Sequence, residues 1–205
     1  MATPTNSSNT ILNMLNNNDQ FSSHIELARK WYKGKKNLSK ASIFLHCLNT
    51  ANLLRRYYNA DFIDSKDYQT LYLTALGHDL FEDTKVDKKE VEKYWGREVV
   101  DLINLLTNIR GDSSFTEYIQ KLAQSSEEVR LVKLIDILSN LNNSLYRIKK
   151  LDKKWLNTFW IPLLDQYNNN LLPSPWKRHQ KLASKITLEI QKKILLLKER
   201  SSSLS

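Results

Sequence analysis

The stretch VRLVKLIDILSNLNNS, residues 129 to 144, puts Val129, Val132, Ile135 and Leu138 together with Leu131, Leu134 and Leu141 on a helix that is apolar over much of its circumference. A helix greasy on most sides is stable only when other helices surround it. The chain is therefore expected to be a helical bundle, with a long helix from about Glu127 to Lys149 at its centre. Lys133, Asp136, Asn140 and Asn143 interrupt that surface at spacings of three, four and three, which lines them up along one polar seam. Polar groups aligned inside such a helix need partners, and a hydrogen-bond network or a ligand site would supply them. For Lys133 and Asp136 a plain ion pair is the alternative.

The other segments agree with an all-α architecture. Four glycines and four prolines in 205 residues leave little material for tight β turns or glycine-rich phosphate loops, and no strand pattern of any length occurs. Residues 1 to 20, rich in Asn, Ser and Thr, read as a loosely ordered arm, with one short helical turn at Ile11 to Leu15. A first firm helix is expected from Ser22 or Ser23, and a second, capped by Ser39, through Asn59. Asp87 with Glu90, and Ser125 with Glu128, have capping-box spacing. Ser174 and Pro175 announce a last helix running to about Arg200, its basic end packing back on the bundle. The expected organisation is one bundle over residues 21–150 with C-terminal helices, 151–205, packed on it.

With 41% hydrophobic and 26% charged residues the chain reads as globular and not disordered, and its formal charge of +9 favours polyanionic partners. The single Cys47 leaves no intramolecular disulfide framework and suits a reducing compartment. The N-terminus lacks a signal-peptide pattern and no window has the run of apolar residues that a membrane span needs, so the expected location is cytoplasmic and no membrane partner is expected.

The stretch GHDLFEDT, Gly77 to Thr84, ends a run whose apolar residues recur at helical spacing. On a continuing helix His78 and Glu82 share a face, and Asp79 and Asp83 form a second pair one residue round. Acidic groups crowded at a helix C-terminus are electrostatically disfavoured unless something positive sits among them, and a divalent metal is the natural candidate. A solvated acidic turn beside a hydrogen-bonded histidine is the alternative. His46, among apolar positions of the second helix, taken alone reads as a core histidine.

Taken together, the helical His46, the His78-Asp79 doublet, the Glu82-Asp83-Thr84 that follows it and the distant VKLID ending in Asp136 resemble the HD-domain metal-dependent phosphohydrolases. They are most similar to the hydrolase domain of the RelA/SpoT alarmone enzymes and their stand-alone small relatives, over about Ser23 to Asn143. The resemblance implies that His46, His78, Asp79 and Asp136 are metal ligands and that Glu82 and Asp83 position or deprotonate the attacking water. It implies that Asn140 contacts the nucleotide, and that the basic loop of residues 33–40 lies near its purine and phosphates. Lys35, Lys36, Lys40 and Lys133 would then neutralise phosphates, with Asn143 beside Asn140 on the nucleotide side. Two imidazoles and two carboxylates make a mixed site acceptable to manganese, iron or zinc, and Mn2+ is the expected ion. Cys47 stands where the alarmone group usually has proline, and Ile137, Ser139, Asn142 and Asn143 also depart from it.

The expected activity is removal of the 3′-pyrophosphate of ppGpp or pppGpp, giving GDP or GTP, with the guanine nucleotide alarmone or another phosphorylated nucleotide as partner. The alternatives are the same site acting on another nucleotide, such as the 2′-phosphate of NADPH, or a non-catalytic nucleotide or nucleic-acid binder. No recognition-helix or stacking-platform signature points to nucleic acid. The last helix leaves a homo-oligomer open.

Overall fold

The greasy helix is central in the computed structural model, which describes residues 20–36, 41–58, 66–108 and 114–203. In chain order the helices are α1 (Ser22–Trp31), α2 (Ile43–Tyr57), α3 (Lys66–Gly77), α4 (Leu80–Asp83), α5 (Lys88–Trp95), α6 (Arg97–Leu106), α7 (Phe115–Gln124) and α8 (Glu127–Tyr146). After α8 a short turn at Lys153–Trp155 and a π-helical segment at Leu156–Trp160 lead into α9 (Ile161–Asn170), and α10 (Gln180–Ser202) follows. α8 packs against α2, α3, α6, α7 and α10. Among the described residues the only bridge outside helices is an isolated antiparallel pair, Lys36 with Ser42. No helix among them is long and apolar enough to cross a membrane.

Local chemistry explains the helix ends, and several differ from expectation. α2 is capped by Ser42, whose side chain accepts from Leu45 N, so it starts later than a Ser39 cap would allow and ends at Tyr57. α8 is capped by Ser126, which accepts from Val129 N, while Ser125 donates its hydroxyl to the Lys121 carbonyl and closes α7. Its α-helical part also stops at Tyr146, short of Lys149. α10 begins at Gln180, not at Pro175, and the residues just before it are tied to the start of α8. The Glu127 carboxylate accepts the backbone N–H groups of Lys177, Arg178 and His179 at 2.6, 3.0 and 3.0 Å. These bonds hold Lys177 and Arg178 outside the helix, and the His179 N–H, at the N-cap position, is the one of the three that belongs to its start.

The helix expected to run through GHDLFEDT is broken. α3 stops at Gly77, His78 and Asp79 form a turn, and α4 is a single turn beyond it. The break sits where α3 presses on α5 and α6. A Cβ on Gly77 would lie 2.7 Å from both the Ile103 and Trp95 side chains, so only glycine lets the doublet come this close to the core. The end of α10 packs inward, with Ile190, Ile194 and Leu197 buried. The arm at residues 1–19, the loop of residues 109–113 and Lys40 lie outside the described residues.

Candidate metal centre and flanking hollows

Three elements deliver the His and Asp side chains to one place. His46 comes from the first turn of α2, beside the capping Ser42, and its backbone N–H bonds to the Ser42 carbonyl at 3.3 Å. His78 and Asp79 come from the turn after α3, and Asp136 from the middle of α8. His78 is 4% exposed and Asp136 5%. His78 Nδ1 lies 2.8 Å from the Ala75 carbonyl, which can only accept, so Nδ1 carries a hydrogen and a neutral ring presents the lone pair of Nε2 to the cluster. That Nε2 is buried and makes no hydrogen bond. A backbone carbonyl that fixes the far nitrogen of a histidine is the arrangement that orients metal-bound imidazoles.

The acidic oxygens surround the two rings. Asp136 Oδ1 is 3.1 Å from His46 Nε2 and 3.4 Å from His78 Nε2. Asp79 Oδ1 is 3.3 Å from His78 Nε2, and its Oδ2 is 3.8 Å from His46 Nε2. Donor atoms of His46, His78 and Asp79 all lie within 4.8 Å of one another, a spread that one cation could bridge. The set fits a divalent ion on two counts: an unpartnered buried imidazole nitrogen, and two carboxylates crowded against the two rings. Burial opposes a charge on His78, but Asp79, Cys47 and Asp136 outweigh it and hold its pKa well above the ordinary imidazole value, so a positive charge at Nε2, from a proton or from a cation in its place, is favoured there. Burial likewise opposes a charged Asp136, yet Lys133 and His78 hold its carboxyl well below the usual range.

Two hollows share this cluster as their wall. The smaller, about 110 Å3, is lined by His78, Asp79, Glu82, Asn108, Phe115, Tyr118, Lys133, Asp136 and Tyr167 among others. Although Glu82 as a residue is exposed, its carboxyl turns into this pocket, where Oε1 accepts from Asn108 N at 2.5 Å. Withdrawal from solvent there raises its pKa to about 7, against the pull of the Asn108 N–H. Lys133 Nζ is 2.9 Å from Asp136 Oδ2, so the seam does contain the ion pair that its spacing allows. Asp83, by contrast, does not line this pocket. It is half-buried, its charge bears on the Tyr32 hydroxyl, and its backbone N–H donates to the Asp79 carbonyl at 3.0 Å.

The wider hollow, about 420 Å3, runs along the far side of His46 between α2 and α8. Asn49, Asn52, Leu53 and Arg56 line it from α2, and Ser139, Asn140, Asn142, Asn143 and Tyr146 from α8. Asn140 ties the two spaces together, donating from Nδ2 to Asp136 Oδ1 at 2.8 Å. Lys35 and Lys36 are exposed, and the Lys36–Ser42 bridge sets Lys36 at the rim beside Ser42, which lines the groove. Tyr118, Tyr167, Arg56, Asn49 and Tyr146 escaped the sequence reading. Two of the missing signals were periodic: His46, Asn49, Leu53 and Arg56 repeat the three, four, three spacing of the α8 seam, and one more step of that seam, from Asn143, reaches Tyr146. Tyr118 and Tyr167 carried no such mark, being aromatic residues on amphipathic helices.

Comparison with known proteins agrees with this fold. No family model matches the chain. A Mycoplasma pneumoniae protein named probable guanosine-3′,5′-bis(diphosphate) 3′-pyrophosphohydrolase is 26% identical over 171 residues, 83% of this chain and 20% of its own length. A Mycoplasma genitalium protein of the same name is 26% identical over 171 residues, covering 82% of this chain and 20% of its own length. The chain thus spans about a fifth of the curated relatives it matches. Among solved structures, a metazoan ortholog of SpoT, described as hydrolysing ppGpp, superposes with a TM-score of 0.65 at 17% identity over 95% of this chain and 98% of that one. A crystal structure from Listeria monocytogenes EGD-e gives 0.52 at 21% identity over 72% and 99%. The chain shares the all-α fold of the SpoT ortholog.

Proposed function

We propose that this chain is a metal-dependent nucleotide phosphohydrolase that removes the 3′-pyrophosphate of ppGpp or pppGpp, giving GDP or GTP. The observation that carries the reading is the meeting of His46, His78, Asp79 and Asp136 around an unpartnered imidazole nitrogen, with Glu82 and Lys133 in the adjoining pocket. The names of the relatives, which concern much longer proteins, support the choice of substrate.

A divalent ion held by those four side chains, with Mn2+ as the proposed choice, would polarise a phosphoryl oxygen and acidify a neighbouring water. In the reaction a water oxygen adds to the phosphorus bonded to the ribose 3′ oxygen. The bond between that oxygen and phosphorus breaks, the 3′ oxygen takes a proton, and pyrophosphate leaves. Glu82 accepts the proton from the water, and a carboxyl with its pKa near 7 is well matched to that task at neutral pH. Asp83 acts from outside the pocket, its N–H holding the turn that presents Asp79.

The nucleoside lies in the α2–α8 groove, which is wide enough for a base and sugar where the small pocket is not. Its asparagine amides offer donors and acceptors to a base edge, and Tyr146, 90% exposed, offers a ring face for stacking. Arg56 inside the groove and Lys35 and Lys36 at its rim supply charge for phosphates. The test is incubation of the purified chain with Mn2+ and ppGpp while released pyrophosphate is measured, with a His78→Ala/Asp79→Ala double variant as control. Turnover lost in the double variant is the expected result; none with any divalent ion sinks the proposal.

A further inference from the structure

Among the described residues Lys133 is the one lysine or arginine lining the small pocket, and its surroundings leave it little freedom to reach a ligand. Its side chain is 15% exposed and its Nζ is 2.9 Å from Asp136 Oδ2. The ammonium also lies over two aromatic faces, 5.5 Å from the Tyr118 ring centre and 5.7 Å from that of Tyr167. Both rings are 4% exposed, and the Tyr118 hydroxyl is anchored to the Leu106 carbonyl at 2.5 Å. A buried ammonium between two ring faces and a carboxylate is held by all three and cannot swing out without giving up each of them. One of the two walls, Tyr167, comes from α9, in the C-terminal segment that the sequence reading set apart from the catalytic bundle.

The carboxylate is divided accordingly. Oδ2 of Asp136 faces Lys133, while Oδ1 faces His46 and His78 at 3.1 and 3.4 Å and accepts from Asn140. Lys133 therefore fixes which oxygen of Asp136 is offered to the cluster, and adds one fixed positive charge beside the two negative charges of Asp79 and Asp136. We propose that Lys133, clamped by Tyr118 and Tyr167, is an internal counter-cation: a positioning residue that weakens the hold of the cluster on a divalent ion and leaves the loaded site net positive toward a phosphate anion. This deepens the metal-site reading above and rests on it. With two carboxylates, one lysine and a divalent ion the centre carries about one positive charge, whereas without the lysine it would be about neutral. The lysine acts on phosphate through the charge balance of the site, not by grasping it.

The experiment is titration of the full chain with Mn2+, followed by the electron paramagnetic resonance signal of the free ion, alone and then with inorganic pyrophosphate. Lys133→Met is expected to bind Mn2+ about tenfold more tightly than the unaltered chain, the size of change that outer partners of metal ligands produce. It should also lose most of the strengthening that pyrophosphate confers on Mn2+ binding. Lys133→Arg, which keeps the charge, should stay within about twofold. Tyr167→Leu opens one wall to water, whose screening weakens the field of the ammonium, and should tighten Mn2+ binding by about threefold. An equal or weaker Mn2+ affinity in folded Lys133→Met, or in Tyr167→Leu should Lys133→Met not fold, overturns the inference and leaves the metal site standing. Failure of the underlying reading looks different: neither the unaltered chain nor any variant then takes up Mn2+, and both proposals fall together.

Discussion

The two hollows on either side of the His and Asp cluster are built on opposite principles. The small pocket is crowded with ionisable groups in a tight volume, where burial pushes the Glu82 carboxyl up and charged neighbours push the Asp136 carboxyl down. The groove between α2 and α8 is nearly four times larger, at about 420 against 110 Å3, and is lined chiefly by neutral amides with one exposed tyrosine. Charge in a confined space strengthens electrostatic interactions and suits bond breaking, while amides in an open groove suit recognition by hydrogen bonds. Chemistry and recognition should therefore fail separately when residues of each wall are altered.

The largest effects are expected at the cluster itself. His78→Ala or Asp136→Ala should lower kcat for ppGpp by about a thousandfold or more, since ion stabilisation of a phosphoryl group is worth several kcal/mol. Single-turnover rates with saturating Mn2+ would check it, and retention of more than about a tenth of the rate by either variant would remove the cluster from the mechanism. Next in size is Glu82→Gln, expected to lower kcat by about a hundredfold with little change in KM, the usual worth of a general base. The pH profile gives this prediction its sign. Glu82 must be ionised to accept a proton and its carboxyl titrates at about 7, so kcat/KM should rise with pH through neutrality and level off above it. The Gln variant should lack that rise, and a profile identical to that of the unaltered chain would exclude Glu82 as the base.

Asn140 stands between the two spaces and should show a mixed effect. It touches Asp136 on one side and lines the groove on the other, so Asn140→Ala should both raise KM and lower kcat, together about tenfold in kcat/KM. A pure KM effect would mean that its bond to Asp136 has no bearing on the chemistry.

The cluster and the small pocket were more legible in the sequence than the groove, and the reason is physical. His46, His78, Asp79, Asp136 and Glu82 break strong apolar patterns, and polar groups placed inside a greasy helix or at its acidic end are conspicuous because leaving them unpartnered is costly. The central position of α8 was legible for the same reason, since only a surrounded helix tolerates apolar residues on most faces. Asn49, Asn52, Arg56 and Tyr146 face an open groove, where polar residues are ordinary. The break at His78 and Asp79 depends on how closely Gly77 approaches Ile103 and Trp95, three segments that local spacing cannot relate. The start of α10 was hidden likewise, because the acceptor that holds the backbone of Lys177, Arg178 and His179 just before it is Glu127, fifty residues before the first of them.

The smallest effect tests the groove alone. Tyr146 is 90% exposed on the last turn of α8, and a ring left so open has no packing role to confuse the outcome. If a purine stacks on it, Tyr146→Ala should raise KM for ppGpp about fivefold, the low end of what one stacking contact contributes, because the other face of the base stays in water. kcat should not move, since the residue lies across His46 from the small pocket and touches nothing that changes charge in the reaction. Tyr146→Phe keeps the ring and should leave KM where it was, which separates stacking from a hydroxyl contact. A fall in kcat with KM unchanged would join the two hollows into one functional unit and break the division between them.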